Sequence, residues 1–167
     1  MTRRSPNHAP TRDALDAYLQ KIDGIVACDG WAMQTVLGRC PVSYTGGLFP
    51  ALNLPEIVMR GIDPQMATEI LNLAASRLVQ NRLELREGVD YPEVLESHPV
   101  RYRRLDPSLV RETVRAAVAI SGSTPDAWQL IWHDPTGRFE GDEGFESQHR
   151  GHAKSIYGFR PANTLTR

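Results

Sequence analysis

Cysteine is nearly absent, with only Cys28 and Cys40 in 167 residues. Two thiols with no CxxC spacing cannot build the disulfide framework of a small secreted domain, so a reducing compartment is expected. Long apolar runs are missing too. Nothing approaches the ~18 consecutive apolar residues of a spanning helix. The opening MTRRSPNHAP has no apolar stretch behind its arginines, so it lacks the core of a signal peptide. These absences together point to a cytoplasmic chain with no membrane role. An excess of one charge is also lacking: the formal net charge is -1. There is thus no global field to attract polyanions, and nucleic acid is not expected as a partner.

What is present is ordinary globular material, 41% apolar and 23% charged, away from the composition of disordered chains. The length suits one domain. Residues 1–10 read as a flexible tail, 11–152 as a single domain, and 153–167 as a second mobile tail.

Thr11 is a candidate N-cap, and Leu15, Tyr18, Leu19 and Ile22 recur at helical spacing until Gly24. The period then changes to two. WAMQTVL from Trp31 and VSYTGGL from Val42 read as a hairpin, with Gly46 and Gly47 as bulge or close-approach positions. Glu56–Ile62 reads as a third strand. Asp63-Pro64 and Asp106-Pro107 are helix starts, because Asp accepts orphan N–H groups and Pro at the first position sacrifices none. The first leads a face of Met66, Ile70, Leu73, Ala74 and Leu78; the second leads Val110, Val114, Ala117 and Val118, stopping at Gly122. LELREG from Leu83, PVRYRRL from Pro99 and AWQLIWH from Ala127 read as further strands. The expected fold is α+β: a mostly antiparallel sheet of about five strands with two main helices packed on one face.

Several clusters could carry chemistry. His133, Asp134, His149 and His152 bring imidazoles and carboxylate near one turn and could take a divalent metal; the alternative is a solvated polar loop. Tyr44, Thr45, Gly46, Gly47 and Glu56 could edge a small-molecule pocket, paired glycines admitting a close approach; the alternative is a bulged strand under a helix. No phosphate-loop or dinucleotide fingerprint surrounds them. Trp128 and Trp132 share a strand face, where they could stack a ligand or fill the core. Arg101, Arg103, Arg104, Arg111 and Arg115 form the one basic cluster, with acids nearby to pair them.

The order Pro41 through Tyr44-Thr45, Gly47-Leu48, Pro55-Glu56, Ile70-Leu71-Asn72, then Gln129, Asp134, Gly137 and Phe139 resembles the bacterial domain-of-unknown-function family 4262, over roughly residues 25–150. The chain departs from that pattern at Leu54 and at Glu140-Gly141. The resemblance implies no activity. No nucleophile, base and orienting group stand at interpretable spacing, so the leading reading is a non-catalytic module that binds a small molecule or a protein. The competing reading is a small metal-assisted hydrolase built on the histidine cluster.

Overall fold

The chain is described by a computed structural model over residues 11–95, 99–134 and 136–145. It begins with α1 (Arg12–Asp29), whose first turn is capped by the Thr11 hydroxyl accepting the Ala14 N–H at 3.3 Å. The helix does not stop at Gly24. A glycine in an exposed helix interior costs only about 1 kcal/mol, and the apolar stripe resumes at Ile25 and Val26. The stop comes at Gly30, left-handed with φ 89°, whose N–H reaches the Val26 carbonyl.

The hairpin forms as expected. β1 (Ala32–Val36) pairs antiparallel with β2 (Val42–Gly46), Val36 facing Val42 and Ala32 facing Gly46. Chain direction then reverses through a five-residue helix, α2 (Leu48–Leu52), instead of continuing as strand through Leu48. β3 (Glu56–Arg60) runs antiparallel to β2, and α3 (Pro64–Asn81) follows with Asp63 Oδ1 accepting from the Gln65 and Met66 amides. The buried face of α3 is Ala67, Ile70, Leu71, Ala74, Ala75 and Leu78; Met66 and Leu73, expected inside, are 50% and 37% exposed. Alanines replace them because α3 lies close on the sheet, where a larger side chain would hold it off.

Residues 83–91 contribute two isolated bridges, Glu87 to Tyr102 and Tyr91 to Val100, rather than a strand. β4 (Arg101–Arg104) leads to α4 (Pro107–Thr113) and α5 (Arg115–Ser121). The single helix expected here is broken at Val114, where ψ turns to 52°. Gly122, left-handed, ends α5 as expected. β5 (Ala127–Ile131) completes a sheet of order β1-β2-β3-β5-β4, antiparallel except for the β3/β5 pair.

Strand alternation sorts the core into two layers, one on each side of the sheet. Ile57, Met59 and Leu130 pack with α3, while Val58, Tyr44, Ala32 and Ala127 pack with Ile22 of α1 and with Val110, Val114 and Ala117. The two main helices therefore lie on opposite faces, not on one. α3, in the connection from β3 to β4, covers one face, and α4 and α5, in the connection from β4 to β5, cover the other. Each fully buried Leu, Ile or Val here contributes about 1.5–3 kcal/mol. Among the described residues no helix is long and apolar enough to cross a membrane.

Candidate functional site

Glu56, at the start of β3, is wholly buried. Its Oε2 accepts the Thr45 hydroxyl at 2.7 Å, and its Oε1 accepts the amides of Gly47 at 2.9 Å and Phe49 at 3.1 Å. Thr45 Oγ1 in turn accepts the Ile57 amide at 2.8 Å. A carboxylate from one strand thus caps the short helix that follows its neighbour, satisfying donors that α2 cannot satisfy itself. Burial pushes the Glu56 carboxyl above its ordinary value, opposed by the donors from Phe49, Thr45 and Gly47.

The glycines expected to admit a ligand admit other parts of the protein. A Cβ on Gly47, whose φ is 117°, would fall 2.5 Å from Val26 Cγ2, and one on Gly46 would sit 3.4 Å from Ile120 Cδ1. Tyr44 is 3% exposed, and its hydroxyl accepts the Ala116 amide at 3.3 Å. Tyr44, Thr45, Gly46, Gly47 and Glu56 are therefore brought together as a buried footing beneath α2.

Asp134, 2% exposed, organises the turn after β5: its Oδ1 accepts Thr136 N, Thr136 Oγ1 and Arg138 N at 2.7–2.9 Å. The His133 ring is nearly buried, with Nδ1 2.5 Å from the Asp134 carbonyl oxygen, between Trp132 and Phe139. Above Phe139 lies the Arg101 guanidinium, 4.1 Å from the ring centre, paired with Asp142 at 2.9 Å and with Asp90 at 2.5 Å. Partial burial would raise the Asp142 carboxyl, but the Phe139 amide and Arg101 outweigh it and hold the group below its usual range. Arg104 pairs with Asp126 at 2.8 Å, and Arg111 Nε donates to Thr124 Oγ1 at 2.9 Å. His149 and His152 lie outside the described residues. Among the described residues no group of three or more His, Cys, Asp or Glu is placed to hold a metal. Trp128 and Trp132 are half-buried against the α3 layer, Trp128 Nε1 donating to Asp126 Oδ2 at 3.1 Å. Cys28 is exposed and Cys40 half-buried, its Sγ accepting from Arg60 Nε at 3.2 Å.

A concave surface does exist, one step away from that footing. An open groove of about 720 Å³ lies between α1 (Asp23, Val26, Ala27), Trp31, α2 (Pro50, Ala51, Leu52), Val79 near the end of α3 and Ile120 of α5, with Cys28 and Asp29 also on its lining. The Trp31 indole is fixed by its N–H donating to Asn72 Oδ1 at 3.0 Å. Sequence reasoning missed this groove because its walls come from four separated segments. The available signal was the pair Ile25-Val26, continuing the α1 stripe past Gly24.

Of the residues that carried the resemblance, Tyr44, Thr45, Gly47 and Glu56 build the buried footing, Asp134, Gly137 and Phe139 lie at the turn after β5, and Ile70, Leu71 and Asn72 lie in α3. No curated protein and no solved structure matches the chain. The family described as Domain of unknown function (DUF4262) matches residues 25–146, most of the chain, and the protein belongs to that family.

Proposed function

We propose that the chain is a non-catalytic binding module that takes a small apolar molecule into the groove between α1, α2 and Trp31. The observation that carries this reading is the groove's lining: Val26, Ala27, Trp31, Pro50, Leu52, Val79 and Ile120 give it an apolar wall, with Asp23 and Asp29 as its charged members. Anionic ligands are disfavoured by those carboxylates. Glu56 supports a binding role rather than a catalytic one. Its oxygens are occupied by the Thr45 hydroxyl and two amides, so it steadies the α2 wall instead of facing a substrate.

The test is fluorescence titration with Nile red, a neutral apolar dye, on the whole chain. Binding is expected in the parent protein, with loss in Ala27→Arg and Ala51→Arg, two exposed positions whose substitution leaves the core untouched. Absence of dye binding, or equal binding in both folded variants, would remove the groove from consideration. Native mass spectrometry of chelator-free protein supplies the second arm. An organic adduct lost in the same variants supports the module, whereas a stoichiometric metal lost on replacing His149 and His152 by Ala would favour the hydrolase.

A further inference from the structure

The two edges of the sheet are treated differently. The outer side of β4 is occupied: Glu87 bridges to Tyr102, the Arg104 amide donates to Glu87 Oε1 at 3.0 Å, and three of the strand's four side chains are arginine. The outer side of β1 has no strand partner among the described residues. Its sequence, Ala-Met-Gln-Thr-Val, contains no charge and no proline, the usual devices that keep an edge from pairing.

Which groups face outward follows from the register. Gly61 N donates to Pro41 O at 2.9 Å, and Val42 faces Arg60, so Pro41 and Ser43 direct their main chain toward β3. Val42, Tyr44 and Gly46 therefore direct theirs toward β1, where they meet Val36, Gln34 and Ala32. The N–H and C=O groups of Met33 and Thr35 are left pointing away from the sheet.

We propose that β1 pairs antiparallel with β1 of a second copy of this chain, about a two-fold axis through Gln34. A two-fold perpendicular to the sheet preserves faces, so the register must centre on a residue. Centring on Gln34 overlaps the whole strand and sets Met33 opposite Thr35 of the second copy twice, with two main-chain hydrogen bonds at each pair. The same register carries Leu37, 77% exposed, toward Trp31 of the second copy. It also carries Arg39 at the hairpin tip toward Asp29 of the second copy, at the end of α1. Arg39 and Asp29 are both exposed, and neither makes an ion pair among the described residues. The two chains thus meet with complementary charge at both ends of the shared strand.

The experiment is light scattering coupled to size-exclusion chromatography on the full chain across a micromolar concentration series, reading 18.7 kDa against twice that mass. A dimer is expected. Thr35→Pro removes an outward N–H in each copy, which an edge strand tolerates, and with it the part-buried side-chain hydrogen bond between Thr35 Oγ1 and Ser43 Oγ at 2.9 Å, so Thr35→Val, which loses the hydroxyl and keeps the N–H, is the control. The loss of two hydrogen bonds per dimer should raise the dissociation constant roughly thirtyfold with the circular dichroism spectrum retained. Arg39→Asp and Asp29→Arg should each weaken the dimer and together restore it. A monomer throughout the series would overturn the proposal, as would a dimer indifferent to a folded Thr35→Pro and to both charge reversals. Should Thr35→Pro fail to fold, the charge swap decides alone.

Discussion

The Tyr44 hydroxyl accepts the amide of Ala116, so a strand on one side of the second core layer ties off the helix break on the other. The break at Val114 leaves the start of α5 with N–H groups that α5 itself cannot satisfy, and no side chain of its own caps it. Tyr44→Phe should leave that buried amide unpaired while changing little volume. A loss of about 1–3 kcal/mol in urea unfolding is expected, and a loss well below that range would mean that the amide has another acceptor.

Glu56→Ala strips the acceptor from one hydroxyl and two amides at once and opens a void beneath α2. The expected loss is about 3–5 kcal/mol, among the largest a single substitution should produce here. Glu56→Gln keeps one oxygen and the volume, and should recover much of it. Equal destabilisation by the two would show that charge, not acceptance, is what α2 requires.

The pH dependence of the same carboxyl has a defined sign. Its folded-state value lies above its ordinary value, 4.5, chiefly because of burial. Its contribution to stability is therefore complete below 4.5 and is lost as pH rises through the folded-state value. Comparing wild type with Glu56→Gln, the difference in unfolding free energy should change over that interval in favour of the glutamine at higher pH. A difference that stays flat would mean that the donors cancel the effect of burial.

Asp142 behaves in the opposite sense. It is held below 3.8 by the Phe139 amide and Arg101, so its contribution is present above that value and disappears on acidification. The side chain is 37% exposed, and solvent screening limits the effect to less than about 1 kcal/mol. Asp142→Asn should remove that part of the acid transition, and added salt should weaken it in the parent protein.

Gly47→Val tests packing rather than ligand access. At φ 117°, with Val26 already 2.5 Å from where a Cβ would stand, valine must displace α1. A loss of several kcal/mol is expected by thermal unfolding. An unchanged melting temperature would require α1 to be loosely held.

Strands and capped helices were legible because their signals are local. Asp63-Pro64 and Asp106-Pro107 start helices, and the alternation around Met33 and Trp128 reads as strand. What escaped depends on partners distant along the chain. Five residues, Leu48–Leu52, are too few to show a helical period, and their cap arrives from Glu56 on another strand. Gly24 looked like a stop because the burial that carries α1 onward belongs to Val26 under Gly47. Val114 sits in an unbroken apolar stripe, and nothing local marks its break. The residues of the expected pocket are indeed neighbours, but Thr45, Gly47 and Glu56 turn their polar atoms onto one another and the Tyr44 hydroxyl accepts the Ala116 amide.

The parallel pairing of β3 with β5 also bears on how the molecule comes into being. β1, β2, α2 and β3 with the Glu56 cap are all encoded before residue 61, whereas the other side of β3 waits for Glu56 to meet Ala127. During synthesis the middle of the sheet therefore stands with one flank open until most of the chain has emerged. Closing so long a loop is slow. A chain ended at Gly122 should retain no cooperative unfolding transition, and restoration should require the segment through Ile131, the last described strand to join.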